Sequence, residues 1–369
     1  MPADESMRDV LRNLLGHGDL TFRDFMEVSL YHPAGGYYVT GRNRVGKEGD
    51  YVTAPTLSPA FSFALGELFR EFVRRSEGAL CSFVDIGCGD GSLVRGVASH
   101  VALPNVRFYG VDRSLSRIAD APGEDVTFVQ TIDAVPRDGM HLIFSSELFD
   151  ALPFARLVQR GEHLHELWVT EREGELDWSE HQAPAAWQDY FTSRGITLAE
   201  GQFADVSLEW SGLYDEIVQR FERALVVTLD YGYPQEKLFH SRVRRFGTAA
   251  AYSGQRVHRD LLANPGEQDL TAHINFSDLE RAGERQGAET LFFDRLAKFL
   301  LAVGITRHEL FRPVHEVELE NLQEGVDLIA AREDARRLVL PDSIGEDLRV
   351  LVQSKSLETT GWSFQMKLF

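Results

Sequence analysis

A glycine-rich turn near residue 87 has the residue types and spacing of a cofactor loop. The run FVDIGCGDG (83–91) places an apolar strand before three glycines at alternate positions, and the helical stretch SLVRGVASH (92–100) follows. Glycines let the backbone turn tightly and approach a ligand closely, with the N-terminus of the helix behind it. The alternative interpretation is a tight strand–helix turn whose acids face solvent.

Acidic residues around this loop favour a cationic ligand over a phosphate. A dinucleotide fingerprint needs Gly-x-Gly-x-x-Gly, but here the third glycine comes one residue early and Ser92 occupies its place. Asp85 precedes the first glycine and Asp90 lies inside the loop. Carboxylates suit a ligand with positive groups, and S-adenosylmethionine carries an ammonium and a sulfonium. We therefore expect this cofactor rather than a nicotinamide dinucleotide.

Further residues complete a predicted cofactor site. Asp112 ends the next strand, where an acid accepts both ribose hydroxyls in dinucleotide folds. Asp133, after the third strand, could accept from the adenine amine or could be a plain turn residue. Cys88 could touch the adenosine, and nothing near it indicates an activated thiolate. The predicted cofactor-binding residues are Asp85, Gly87, Cys88, Gly89, Gly91, Asp112 and Asp133.

A second group of acids follows the fourth predicted strand, in the run FSSELFDALP (144–153). Ligands of open α/β sheets bind outside the carboxyl ends of the strands, so Glu147 and Asp150 should face the methyl donor. Paired acids could hold a guanidinium through bidentate hydrogen bonds, or take the proton that methylation expels. The alternative is a helix N-cap with a helix-dipole acid.

The pattern of elements that must position these residues predicts an α/β protein. Short apolar runs alternate with helical stretches over residues 81–232, which favours a doubly wound, mostly parallel, Rossmann-like sheet. We predict an N-terminal helical segment with a glycine-rich active-site loop (1–78), a methyltransferase core (79–154 and 223–369), and an inserted helical and hairpin subdomain (155–222).

Composition and charge narrow the functional classes. The 369 residues carry a formal net charge of −19, which disfavours nucleic acid as the main partner and would weakly attract a basic protein segment. No apolar run reaches the ~18 residues of a membrane span, and the N-terminus lacks a secretory signal pattern. Two cysteines provide no disulfide framework and no four-ligand metal site, and His163 and His165 lack a nearby third ligand. We expect a soluble cytoplasmic protein without a metal.

Several segments resemble the MidA family of class I S-adenosylmethionine-dependent methyltransferases. Its mitochondrial member assists respiratory complex I assembly and acts as a protein arginine N-methyltransferase. The segments that carry the resemblance occur in the family's order over most of the chain, and they are 30–61, FVDIGCGDGSL (83–93), SSELFDALPF (145–154), LDYGYP (229–234) and 247–283.

This resemblance implies roles for residues that spacing alone does not assign. It implies that S-adenosylmethionine binds at Asp85, the three loop glycines and Asp112, and that Glu147 and Asp150 sit near the acceptor. Another segment, which includes Gln268, Asp269, Thr271 and His273, would pack over the cleft. His273 could be a base or a donor to the acceptor, and a structural histidine is the alternative. From the N-terminal side, the site would be lined by Gly49, Asp50, Thr53 and Pro55.

Departures from the family pattern affect the acceptor side more than the cofactor side. The family usually has Glu at Asp85, Glu at Thr56, Asn at Ser146 and Asp at Asn275. A pocket for arginine would be weakened by the loss of carboxylates.

The resulting hypothesis is transfer of a methyl group to an arginine of a protein, with a respiratory-complex subunit as one possible partner. The alternatives are a S-adenosylmethionine-binding assembly protein with little turnover, a small-molecule methyltransferase and a nicotinamide-dependent oxidoreductase. The early third glycine and the acids beside it argue against the last. The sequence leaves open whether the chain forms a homodimer.

Overall fold

The apolar runs of the sequence form strands in a computed structural model that describes residues 6–39, 53–118, 125–254, 256–313 and 322–365. Within these residues the strands are, in chain order, β1 (Leu20–Thr21), β2 (Cys81–Ile86), β3 (Val106–Val111), β4 (Val126–Val129), β5 (Met140–Ser146), β6 (Ala155–Arg160), β7 (His163–Arg172), β8 (Glu175–Gln182), β9 (Phe203–Val206), β10 (Ala224–Tyr233), β11 (Ala250–Ser253), β12 (Arg256–His258), β13 (Asp269–Thr271), β14 (Ile274–Asn275), β15 (Ala288–Arg295) and β16 (Leu348–Lys355).

The helices of the same residues are α1 (Met7–Leu15), α2 (Phe22–Tyr31), α3 (Ala54–Leu57), α4 (Pro59–Arg74), α5 (Ser92–His100), α6 (Ala185–Ser193), α7 (Leu208–Arg220), α8 (Gln235–Leu238), α9 (Phe276–Arg285), α10 (Leu296–Val303), α11 (Leu322–Arg337) and α12 (Ile344–Asp347). Across the described ranges, none of the helices is both long and apolar enough to cross a bilayer.

The central sheet confirms the predicted doubly wound architecture. Its strand order is β15-β16-β10-β5-β2-β3-β4, and β14 pairs with β10. The neighbouring strands β10, β5, β2, β3 and β4 are mutually parallel, whereas β16 lies between β10 and β15 and is antiparallel to both. The chain leaves β2 toward β3 on one side and returns through β5 on the other. The strand order therefore reverses at β2 and β5, where α/β sheets form a ligand crevice.

Helices cover both faces of this sheet, which explains the uniformly apolar strands. Phe83 on β2 joins a core cluster with α4, α5 and α10, whereas the next residue, Val84, joins a second cluster with α2, α7 and α9. Successive side chains of a strand point to opposite faces. Both faces of β2 are therefore buried, and its sequence shows no polar alternation.

The two N-terminal helices begin at capping residues. Ser6 caps α1, which ends before Gly16, and the Thr21 hydroxyl accepts the N–H of Asp24 at the start of α2. Such a cap satisfies one of the free N–H groups of a helix start. The segment is not purely helical, because β1 pairs with β7 of the predicted insertion.

The segment 155–222 contributes to two different layers. Its strands β6, β7, β8 and β9 form an antiparallel sheet with β1, and α6 packs there on a small cluster of its own. Helix α7 instead packs against α9, and its Trp210 and Tyr214 are buried in the main core. The domain limits stay a prediction.

Candidate cofactor and acceptor site

The glycine loop leaves β2 in the left-handed conformation that only glycine adopts easily. Gly87, Gly89 and Gly91 have φ values of +74°, +60° and +77°. A Cβ atom on Gly91 would lie 2.6 Å from the Phe128 ring, whereas one on Gly89 would meet no atom within 4 Å. Gly91 is thus fixed by packing at the start of α5, and Gly89 faces open space that a ligand can approach.

The Asp112 side chain, which follows β3, forms a hydrogen bond with this loop. One of its carboxylate oxygens accepts the N–H of Gly89 at 2.9 Å, and the other accepts the N–H of Ser114 at 3.0 Å. Each oxygen has a second lone pair. The carboxylate is therefore held in place and can still accept two hydroxyl groups.

Asp85, at the end of β2, is a buried acid with a free oxygen. Its side chain is 3% exposed, and its Oδ2 has no hydrogen-bond partner among the described residues. Burial, followed by the neighbouring Asp112 and Asp90 carboxylates, raises the pKa of Asp85 to about 8. A cationic ligand would offset both the burial and the repulsion. We refer to Asp85 and Asp112 as the loop acids; their chemistry fits S-adenosylmethionine.

The two other residues predicted for the cofactor differ in their surroundings. Cys88 is buried in the loop, and burial together with the Asp85 carboxylate raises the pKa of its thiol. The Asp133 side chain is 80% exposed and forms an ion pair with Arg220 of α7, with 3.2 Å between Oδ1 and Nη1. Cys88 therefore lies within the glycine loop, whereas the Asp133 side chain is directed toward Arg220 of α7.

A sharp turn after β5 carries Glu147 beside the glycine loop. Glu147 has a φ of +50°, which is uncommon for a residue other than glycine. Its N–H donates to the Leu229 carbonyl at 2.9 Å, and its Oε1 accepts the N–H of Ala54 at 3.3 Å. The next side chain, Leu148, lies 3.0 Å from the position of a Cβ on Gly87. The turn and the loop are therefore in contact, as expected at the crevice.

Four carboxyl groups meet behind this turn, and we call Glu147, Asp150, Asp230 and Asp269 the buried acid cluster. Asp150, Asp230 and Asp269 are 5%, 0% and 3% exposed, whereas Glu147 is partly exposed. Burial is the largest cause, and the neighbouring acids the next, of the raised pKa values of Glu147 and Asp150. Burial likewise raises the pKa of Asp230, although backbone N–H groups oppose the shift.

Contacts from three directions hold the cluster. Asp230 accepts the N–H of Phe149 at 2.9 Å and that of Tyr231 at 2.8 Å. The Tyr38 hydroxyl donates to Asp269 at 2.7 Å. The sequence identified Glu147 and Asp150 but assigned no site role to Asp230, which follows the apolar run of β10. Its position near the carboxyl end of a central strand was the sequence feature that could have indicated a site role for Asp230.

The N-terminal residues predicted to line the site fall partly on α3. Thr53 precedes this helix and Pro55 lies within it, next to the Ala54 N–H that bonds Glu147. Thr56 accepts the N–H of Thr53 at 3.2 Å, so it serves as a helix cap. Gly49 and Asp50 lie outside the described residues.

The segment near residue 270 supplies mainly structural side chains. Gln268 donates to the carbonyls of Asp260 and Leu261, and Asn275 caps α9 by accepting the N–H of Ser277. His273 stacks on Tyr231, and burial lowers its pKa to about 4. His273 is therefore neutral at physiological pH, and its buried Nδ1 has no partner within the described ranges.

A protein-family model identifies the chain. The model described as "Putative S-adenosyl-L-methionine-dependent methyltransferase" matches residues 64–293, more than half of the sequence. This chain belongs to that family. The predicted reaction class and cofactor, a methyltransferase that uses S-adenosylmethionine, are thereby confirmed, and so is the resemblance to the MidA family.

Solved and curated relatives agree with this assignment. The fold is similar to a crystal structure from Burkholderia thailandensis bound to S-adenosyl-homocysteine, with a TM-score of 0.84 and 26% identity, over 98% of this chain and 95% of that one. "Protein arginine methyltransferase NDUFAF7, mitochondrial" from Bos taurus is 25% identical over 75% of this chain and 68% of its own length. The Homo sapiens protein of that name is 25% identical over 77% of this chain and 70% of its length.

These relatives correct one expectation. The sequence predicted a cytoplasmic protein from its lack of a signal pattern and of a membrane span. That prediction is wrong by this comparison, because the matched curated relatives are named as mitochondrial. Neither of the two sequence features distinguishes one aqueous compartment from another.

Proposed function

We propose that this methyltransferase acts on an arginine side chain of a protein substrate. The observation that carries the proposal is the buried acid cluster, which lies behind the turn that contacts the glycine loop and lacks a basic partner for three of its members. Within the described ranges, no ion pair joins Glu147, Asp150 or Asp230 to a basic side chain. The names of the curated relatives, protein arginine methyltransferases, support the same acceptor.

On the cofactor side, we assign binding to the loop acids and the loop glycines. Asp112 would accept the ribose hydroxyls, and Asp85 would face a positive group with its unpaired Oδ2. Gly87, Gly89 and Gly91 would let the backbone approach the ligand, and Cys88 would pack beside it. When bound, S-adenosylmethionine supplies a methyl group on a positively charged sulfur, so the protein needs mainly to position the acceptor.

On the acceptor side, we assign Glu147 and Asp150 to the guanidinium. A planar guanidinium forms paired hydrogen bonds with carboxylates, which fixes its orientation. Its charge would also lower the raised pKa values of these acids, because an opposite charge at close range favours ionisation. The unusual φ of Glu147 is consistent with a functional constraint on the direction of its side chain.

Other assignments for this site follow from the sequence and the resemblance. Thr53, Pro55 and His273 would line the acceptor side, together with Gly49 and Asp50. Asp133 stays a prediction for the adenine amine. The substrate protein would present a basic segment to this acidic chain, and a respiratory-complex subunit and a homodimer also stay predictions.

The alternative of a binding protein without turnover depends on three departures from the family pattern. Two of these residues have structural roles, since Thr56 caps α3 and Asn275 caps α9. The third, Ser146, leaves its buried Oγ without a partner among the described residues. None of the three removes a carboxyl from the buried acid cluster, which favours an enzyme.

Transfer of a radiolabelled methyl group from S-adenosylmethionine into the proteins of a cell lysate tests the proposal. Glu147→Gln should lower the transfer by about 10²-fold or more, because it removes the charged partner of the acceptor. The matched control is Glu166→Gln, since Glu166 is a buried acid of β7 away from the loop. Wild-type labelling that appears in lipids or small molecules, or equal labelling by Glu147→Gln, would contradict the proposal. Cofactor binding in calorimetry without any labelling would favour the binding protein.

A further inference from the structure

Residues 240–247, between α8 and β11, form an exposed segment that we call the basic loop. Its Val243 and Phe246 side chains are 70% and 65% exposed, more than the other large apolar side chains of the described residues. Apolar side chains that are exposed singly are ordinary, but these two lie three residues apart on one short loop. The basic loop therefore presents an apolar surface to solvent.

The same loop carries three arginines, Arg242, Arg244 and Arg245. In the part of the chain that the structure describes, none of the three forms an ion pair with a carboxylate. The carboxylate of Asp205, beside the loop, is paired with Arg156 instead, with 2.7 Å between Oδ1 and Nη1. On a chain with a net charge of −19, the basic loop is thus a local patch of positive charge.

The backbone of the basic loop is held by the protein beneath it. The Arg245 carbonyl accepts the N–H of Phe203 on β9 at 2.8 Å, and the Phe246 carbonyl accepts Nη2 of Arg156 on β6 at 3.2 Å. A surface that is already ordered loses little conformational entropy when a partner binds. Arginine and aromatic side chains are also the types enriched in protein interfaces. Rigidity and composition together indicate a binding surface.

Hydrogen bonds connect the basic loop to the acceptor side of the site. Thr248 directly follows the loop, and its hydroxyl accepts the N–H of His273 at 3.1 Å. The residue before His273, Ala272, donates its N–H to the Asp150 carbonyl at 3.2 Å. Two hydrogen bonds and a few peptide units therefore separate the loop from the buried acid cluster. An extended segment of about ten residues, up to ~35 Å long, can contact both.

We propose that the basic loop is a docking surface for an acidic segment of the substrate protein, within about ten residues of the acceptor arginine. This inference rests on the proposed function, because the arginine of the same protein would occupy the buried acid cluster. The carboxylates of the segment pair with Arg242 and Arg245, and an apolar side chain of the segment packs on Phe246. The position of the loop on the acceptor side favours the substrate over a second copy of this chain. A protein that is basic throughout is repelled by the loop, so the loop selects among arginine-bearing proteins.

The double variant Arg242→Glu/Arg245→Glu tests the docking surface. It leaves Arg244 in place, whose guanidinium lies 3.8 Å from the centre of the Tyr233 ring. Transfer of radiolabelled methyl groups into lysate protein at low salt should fall about 10-fold or more, because attraction becomes repulsion. Added salt should reduce the difference from the wild type, since it screens exposed charges. Binding of S-adenosyl-homocysteine, measured by calorimetry, should be unchanged.

A second variant and a matched control separate docking from general effects of charge. Phe246→Ser removes the apolar contact and should lower transfer about 5-fold or more at high salt as well. Arg336→Glu/Arg337→Glu makes the same change of charge at two exposed arginines of α11, which packs against α4. This control should transfer methyl groups like the wild type.

The possible outcomes distinguish the docking surface from the proposed function. Mass spectrometry of the labelled proteins should find acidic and apolar residues near the methylated arginines. Wild-type labelling by Arg242→Glu/Arg245→Glu would overturn the inference alone. A wild-type dimer that this variant converts to a monomer, in sedimentation velocity, would also overturn it, in favour of a contact between two copies of the chain. A wild type that binds S-adenosyl-homocysteine but labels no lysate protein would overturn the proposed function together with it.

Discussion

The loop acids and the buried acid cluster are both groups of carboxyl side chains, but the surrounding protein holds them in different ways. Asp112 accepts two backbone N–H groups and keeps free lone pairs, so it is ready for neutral hydroxyls. In the buried acid cluster the carboxyl groups lie close enough to raise one another's pKa values, and burial adds to that effect. The first arrangement suits a ligand bound in one fixed pose. The second suits a cation that arrives and leaves.

The largest expected effect concerns cofactor affinity and separates the two regions. Asp112→Ala removes the acceptor for the ribose hydroxyls and for the Gly89 N–H, and charged hydrogen bonds contribute about 1.5–3 kcal/mol each. We therefore expect calorimetry to show at least about 10²-fold weaker binding of S-adenosyl-homocysteine. Glu147→Gln should bind it like the wild type. Equal losses in both variants would show that the two regions do not have separate ligands.

Alanine substitutions at the loop glycines separate backbone strain from packing. Gly91→Ala should destabilise the fold by roughly 3 kcal/mol in urea unfolding, because strain at positive φ is joined by the clash with Phe128. Gly89→Ala should lower the free energy of unfolding by about 1 kcal/mol from strain alone. It should also bind S-adenosyl-homocysteine more weakly than the wild type does. The control is Gly174→Ala, which has positive φ and open space in the β7–β8 turn. Unchanged binding by Gly89→Ala would contradict its place beside the ligand.

The pH dependence of stability tests the burial of Asp85. Because its folded pKa of about 8 lies above the ordinary value, the stability that its protonated form provides is complete below pH ~3.9 and is lost as pH rises to about 8. Asp85→Asn avoids that loss and should be more stable than the wild type at pH 8.5 by roughly 1–3 kcal/mol. Urea unfolding at pH 5 and 8.5 measures the difference. Asp90→Asn, at an exposed residue of the same loop, should show a much smaller difference, because it removes only the smallest of the three causes of the Asp85 pKa shift.

The smallest effect should come from Thr56, which lies on α3 two residues after the Ala54 N–H that bonds Glu147. Thr56→Ala removes the helix-capping hydroxyl and should cost about 1 kcal/mol in urea unfolding. Methyl transfer at a temperature where both proteins are folded should be unchanged, because Thr56 contacts Thr53 and none of the acids. A large loss of transfer with little loss of stability would place Thr56 in the acceptor site instead.

Strong local patterns were sufficient for most of the fold. The apolar runs of β2, β5 and β10 are buried on both faces, and those of β3 and β4 are partly buried, so their sequences predicted a parallel sheet. Strand β15 was missed, because its partly buried residues form an edge with a bulge and no clear alternation. Helix α11 was missed as well, because its exposed face includes Val326 and Ile329, which obscures an amphipathic pattern.

By itself the sequence predicted the glycine loop and its neighbouring acids, because glycines and acids at fixed spacing act through the local backbone of one strand and one helix. It also identified Glu147 and Asp150, which follow a recognisable strand. The tertiary structure alone decided that Asp230 and Asp269 join them, since β10 and β13 are brought to the turn by sheet pairing and packing over 80 or more residues of intervening chain. Burial is a property of that assembly, and it is the largest cause of the raised pKa values of Glu147, Asp150 and Asp230.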